Sequence, residues 1–229
     1  MQWVALPRNR WIAFLYHLAI SFVLLLIITG VMYFCWFPGA LFDAAGGWEG
    51  MRILVAVDLV LGPTLTLIVF NRAKPIRELT RDLGTIATVQ LLCLLGGVYT
   101  IFYSRPIVIV QVFDTFYALN REGMVDAGVN SKDIDGYSGF TPSLVYVPVP
   151  QEKMAFLNQY VKGLLNGEKP VQFRTELYRE LPRGSALIPM LHTKSQEPCI
   201  RVDLESVYRQ GHACFDLDSQ RFSDFALDR

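Results

Sequence analysis

Three apolar runs in the first hundred residues restrict this chain more than any other feature. Residues 12–36, 51–70 and 84–103 are each close to the ~20 residues that a helix needs to cross a hydrocarbon core of ~30 Å, and they are almost free of charge. A bilayer offers backbone groups no water to bond, so runs of this length read as three transmembrane helices. Composition agrees, since 52% of the 229 residues are hydrophobic and only 18% charged, too apolar a balance for an ordinary soluble domain. Lys+Arg and Asp+Glu number 21 each, so no net field draws a polyanion. Membrane lipid is an expected partner and nucleic acid is not.

The rival reading of the first run is a cleaved signal peptide, because Arg8 and Arg10 precede it and Asp43-Ala44-Ala45-Gly46 offers small residues. A signal core covers only about 7–15 apolar residues, and this run is far longer, which favours a retained span. Orientation follows from the loops. The linker between the second and third runs carries Arg72, Lys74, Arg77 and Arg81, whereas residues 37–50 carry only Asp43 and Glu49. Positive charge stays inside, so the linker and the basic amino terminus are expected in the cytoplasm and residues 37–50 outside. An odd number of spans then carries residues 104–229 outside too. The expected division is a three-helix membrane domain, 1–103, and an exported domain, 104–229.

Asp58 lies inside the second run. A mid-span carboxyl costs about 2.5–3.5 kcal/mol on insertion scales and is a candidate functional group by default. Gly62-Pro63 follows four residues later and removes a helical hydrogen bond. Asp58 is expected about six residues, or roughly 9 Å, below the outer end of its helix. That depth matches Thr29 and Gly30 on the first span and residues 96–99 on the third, so Tyr99 and Thr29 are the candidate hydrogen-bond partners. Gly30, Gly62, Gly96 and Gly97 permit close backbone approach. Two readings stay open, a carboxyl that locks three helices together and one that contacts a partner or ligand. A proton relay lacks members, because only Gln90 and a distant, neutral His17 are at hand. In the outer loop, Pro38-Gly39 and Gly46-Gly47 form turns around Phe42 and Trp48, with Glu49 following. This reads as an interfacial hairpin with aromatic anchors, or alternatively as an aromatic docking surface.

After Arg105-Pro106, IVIVQVFDTFYALN reads as a strand of about ten residues, and SLVYVPVP as an edge strand, since Pro148 and Pro150 donate no ladder bond. A short helix is expected near 131–134 and an amphipathic packing helix over 151–166, with Met154, Leu157, Tyr160, Val161, Leu164 and Leu165 at helical spacing. Phe173, Leu177, Tyr178 and Leu181 point to a second, shorter helix stopped by Pro182. A hairpin is expected around Gln210-Gly211, which makes the exported domain mixed α+β. Cys199 and Cys214 fall in its two arms, on the side exported to an oxidising compartment, and are expected to form a disulfide. Cys35 and Cys93 read as apolar packing residues. A metal site built from Cys199, Cys214, His192 and His212 lacks an assured geometry, so no metal and no cofactor is expected. No nucleophile, zinc-protease or nucleotide-binding motif is present, and the chain does not read as an enzyme or as the receptor of an identified small molecule.

With these residues in view, the chain resembles the type IV pilin accessory proteins of the TfpX/TfpZ family, small inner-membrane proteins of pilus-bearing Gram-negative bacteria. The likeness is carried by RWIAFLYHLAISFVLLLIITG, by WFPGALFDAAGGWEGMRILVAVDLVLGPTLTLIVF and more loosely by RPIVIVQVFDTFYALN, roughly the first half, with FDLDSQRF as a concluding strand and turn. The resemblance implies a non-enzymatic role in stability, assembly or surface display of a type IV major pilin. It also implies an inner-membrane location with a cytoplasmic amino terminus and a periplasmic C-terminal domain. Carried onto this sequence, the matching positions are Trp36, Phe37, Pro38, Gly39, Gly46, Gly47, Trp48, Glu49, Asp58, Gly62 and Pro63, without an assigned chemistry. The alternatives are a membrane-tethered periplasmic sensor or ligand-binding module and a pilin-modifying transferase.

Overall fold

The computed structural model describes residues 7, 9–150, 152–184 and 199–227. Arg8 and His192, named from the sequence, lie outside the described residues. The chain divides into two compact units, Met1–Val31 with Trp48–Phe102, and Met32–Gly47 with Tyr103–Arg229. The division therefore departs from a single cut at 103/104, because Met32–Gly47, expected as a membrane-face loop, belongs to the C-terminal unit.

In chain order, α1 (Arg10–Val31) continues into a π-helical turn, Met32–Trp36, and α2 (Leu41–Ala44) follows. Next, α3 (Gly47–Leu54), a π-helical stretch Val55–Leu61 and α4 (Gly62–Val69) form one continuous helix, and α5 (Ile76–Ser104) is the longest. Among the described residues three helices are long and apolar enough to cross a membrane, Arg10–Trp36, Gly47–Val69 and Ile76–Ser104. The second begins four residues before the expected 51, since Gly47 to Gly50 are helical and Glu49 sits in the first turn, where the helix dipole favours an acid. The third begins at Ile76 instead of 84. Its polar first turns are helical as well, and Lys74 closes them with an ion pair to Asp82 at 2.8 Å. Hydropathy reports the apolar part of a helix and not its ends. Within this unit α1 packs against α4 and the π stretch, whereas most of α5 is exposed.

Among the described residues the second unit is built on a seven-stranded mixed sheet. Its elements are β1 (Pro106–Val112), β2 (Thr115–Asn120), α6 (Arg121–Asp126), α7 (Ser131–Asp135), β3 (Ser143–Tyr146), α8 (Lys153–Leu165), β4 (Arg179–Glu180), β5 (Cys199–Ser206), β6 (Gln210–Asp216) and β7 (Arg221–Leu227). The spatial order is β4-β3-β1-β2-β5-β6-β7. β1 runs parallel to β3 and β2 parallel to β5, and the other pairs are antiparallel. The single long strand expected after Pro106 is instead a hairpin: Phe113 adopts a left-handed φ of 55°, which turns the chain between Val112 and Thr115. β3 is not an edge strand. It lies between β1 and β4, and Pro148 and Pro150 fall beyond its end, where no ladder bond is required.

α7 and α8 form where the sequence places them, but the shorter helix before Pro182 is two 3-10 turns, Val171–Phe173 and Thr175–Leu177, followed by extended Tyr178. α8 also packs differently from its expectation. Phe156 and Tyr160 turn inward, with Phe156 edge-on to Phe113 at 4.5 Å, while Met154, Leu157, Val161, Leu164 and Leu165 are exposed. Two cores result. Val108, Val110 and Val145 face the first, together with Met124, Ile134 and Tyr178. Phe116, Phe215 and Phe222 form a ring cluster with centroids 4.8–5.1 Å apart in the second.

Residues 32–47 bind to the sheet through backbone groups. Ala40 N–H donates to Phe222 O at 2.8 Å, and the Ser206 hydroxyl donates to Ala44 O at 2.6 Å. Gly39, at φ +63°, lies against the Phe222 carbonyl, where a Cβ would overlap the oxygen. Gly46, at φ +91°, lies against the Tyr208 ring.

Candidate functional site

The glycine-proline pair of the second span explains the local geometry around Asp58. In the π-helical stretch each N–H reaches five residues back, and Gly62 N–H bonds Val57 O. The next donor in that register would be Pro63, which has no N–H, so the Asp58 carbonyl is released from the helix. Gln90 Nε2 of α5 donates to that carbonyl at 3.3 Å. Gly62 makes the approach possible, because a Cβ there would overlap the Gln90 amide. Asp58, Gly62 and Pro63 therefore work as one local device. It converts a missing backbone donor into a contact between helices.

Around this point the polar side chains of the unit converge. His17 Nδ1 lies 2.5 Å from Thr66 Oγ1, and the Gln90 amide lies between the His17 and Asp58 side chains. Ser21, Asp58 and Thr66 are all buried, Asp58 to 6% exposure. Two acceptors, Asp58 Oδ2 and Gln90 Oε1, are buried without a hydrogen-bond partner. Beside them is a cleft of about 250 Å³, otherwise lined by Ile20, Leu24, Leu25, Ala87, Leu91 and Leu94.

The expected partners of Asp58 are corrected here. Thr29 donates to Leu25 O at 2.7 Å and contacts Met51 Sδ at 3.1 Å, while Tyr99 is 66% exposed. The cause is depth. The span starts at Gly47, which puts Asp58 eleven residues, about 16 Å, along it and midway between its ends. Gln90 and Ser21 are likewise near the middle of their helices. The sequence does carry a signal for this cluster, since His17 and Ser21 are four apart on one helical face. An end-anchored count hid it.

The loop residues go elsewhere. Phe42 is buried in the second unit, 5.8 Å from the Tyr33 ring and 6.5 Å from the Phe37 ring, so it is neither an interfacial anchor nor part of an exposed docking surface. Pro38, Gly39 and Gly46 shape the segment that binds β7 and the β5–β6 turn, and Gly47 abuts the Phe42 ring. Trp48 remains 42% exposed, with the Arg52 guanidinium over its ring at 5.4 Å, and Glu49 lies one residue further along α3.

In the second unit Cys199 is linked to Cys214, with Cα atoms 5.3 Å apart across β5 and β6. Arg105 is buried and donates to Gly139 O at 2.6 Å, and burial together with nearby Arg121 lowers its pKa. A cavity of about 460 Å³ opens among Phe113, Tyr117, Phe156 and Tyr160, with Asp203 at its rim. Burial, then the nearby Glu205 carboxylate, pushes the Tyr117 phenol up to about 12. No group of His, Cys, Asp and Glu suited to a metal is present among the described residues.

Comparison with known proteins adds what geometry cannot. Over 105 residues, 46% of its length, the chain is 30% identical to the fimbrial assembly protein of serogroup E1 of Dichelobacter nodosus. The relatives found are fimbrial assembly proteins. The serogroups C1 and C2 protein of the same organism is 27% identical over 105 residues, and so is the serogroup I protein. The match spans 41% of the serogroup E1 and serogroup I relatives and 80% of the C1 and C2 relative. No family model and no solved structure matches the chain.

Proposed function

We propose that this chain is a non-enzymatic membrane accessory factor in type IV fimbrial assembly, of the TfpX/TfpZ type, that binds the major pilin through its spans and its C-terminal unit. The observation that carries the reading is the likeness to fimbrial assembly proteins in a chain with three membrane-length helices. On this reading the spans lie in the bacterial inner membrane, the Arg72–Arg81 linker faces the cytoplasm and the sheet unit is periplasmic. The unit meets the pilin head while the spans meet its membrane segment, and two weak contacts on one partner raise the overall avidity. Deletion of the gene alone is expected to reduce surface fimbriae or pilin levels, counted by electron microscopy and immunoblot. Normal fimbriation in the deletion strain overturns the reading.

The aromatic cavity favours a second reading, a membrane-tethered ligand-binding module, and a saturable thermal shift with a periplasmic small molecule would support it. Intact-mass measurement of pilin with and without this protein tests the transferase alternative. An unchanged mass removes it.

A further inference from the structure

The cleft beside Asp58 is left unfilled by the packing of its own helices. Ile20, Ser21 and Leu24 of α1 form one wall, Gln90 and Leu94 of α5 the other, and Asp58 lines it from between. These positions recur at three- and four-residue spacing, so each wall is a helix stripe and the cleft runs along the helix axes. α5 is mostly exposed along its length. At mid-span two buried acceptors without partners, Asp58 Oδ2 and Gln90 Oε1, lie beside the cleft, and its one basic lining residue, His17, is engaged through Nδ1 with Thr66 Oγ1.

We infer that this cleft is a docking groove for a transmembrane helix of a partner protein that presents a hydrogen-bond donor, an amide, hydroxyl or amine, at its mid-span. An apolar groove alone would be satisfied by lipid. Acyl chains carry no donor at the bilayer centre, however, so lipid leaves both acceptors unpaired in hydrocarbon, which is costly. A helix meets both demands, because its side chains fill the apolar walls and one polar residue reaches the acceptors. A second copy of this chain would bring the same two unpaired acceptors to the same depth. That the partner helix belongs to the fimbrial subunit rests on the reading in the preceding subsection, whereas the chemistry of the groove does not.

The test uses the full chain in lipid vesicles with two synthetic transmembrane peptides of about 21 residues, one of leucine and alanine only and one with a single central asparagine. Energy transfer between labelled peptide and labelled protein is expected to show at least tenfold tighter association of the asparagine peptide. The preference is expected to disappear in Asp58→Leu and in Gln90→Leu and to persist in Tyr99→Phe. Equal association of the two peptides, or a preference that survives both groove substitutions, overturns the inference. In a second arm, a photo-crosslinking residue replaces Leu91 in the native membrane. A crosslink to the fimbrial subunit supports both the groove and the partner. Peptide preference without that crosslink supports the groove and overturns the partner's identity, and labelling of lipid alone or of a second copy, with no peptide preference, overturns the groove.

Discussion

Gly62 looks in the sequence like a site of close helix packing, and in the structure it is the space that the Gln90 amide occupies. Gly62→Ala would push that amide off the Asp58 carbonyl and cost about 0.5–1.5 kcal/mol, the net worth of one hydrogen bond. Thermal unfolding of Gly62→Ala, Gln90→Ala and the double variant in detergent is expected to be non-additive, since both single changes remove the same bond. Additive losses would show that the two residues are not coupled. Asp58 itself is expected to tolerate asparagine better than leucine in membrane protein level, because an amide still hydrogen-bonds inside the cluster. Equal loss of fimbriation from both variants at normal protein level would instead point to a charge-dependent contact. Both residues were visible in the sequence as anomalies. Their partners were not, because a partner depends on helix depth and rotation, and hydropathy sets neither closely.

Two elements change meaning once folded. The stretch WFPGALFDAAGG has the composition of a membrane-face loop, yet it covers one face of the sheet, with Leu41 and Ala44 fully buried. Gly39→Ala is therefore expected to destabilise the second unit by more than the about 1–3 kcal/mol of left-handed strain alone, because the new methyl also meets the Phe222 carbonyl. Limited proteolysis of that unit reads the loss, and wild-type resistance in Gly39→Ala would count against the docked segment. The β5–β6 hairpin is a second case. Cys199 and Cys214 are 15 residues apart, a loop for which a disulfide contributes about 3 kcal/mol in the chain-entropy view. Reductant is expected to lower the melting temperature of the wild type and to leave Cys199→Ala/Cys214→Ala unchanged. Thiol labelling that finds both cysteines free in protein from the native membrane removes the bond. The hairpin was legible from its alternation. The docked segment was not, because its burial comes from strands that enter the chain about 160 residues later.

For the molecule as a whole, the order of three apolar helices followed by a mixed α+β unit follows from hydropathy and strand alternation. Orientation is the part that charge distribution predicts and contacts do not report. Reporter fusions are expected to place Lys74 in the cytoplasm and the end of the chain, after Arg229, in the periplasm; a cytoplasmic C-terminal reporter would overturn the proposed division of labour between spans and sheet. The apolar runs by themselves determined that helices of membrane length form, because the length and continuity of apolar sequence decide this without any partner. Tertiary structure alone decided that Asp58 meets Gln90 at mid-span, that residues 32–47 bind to the sheet, and that two buried acceptors lie beside a cleft. Each of these depends on which residues from distant parts of the chain share a depth and a face, and that is a property of packing.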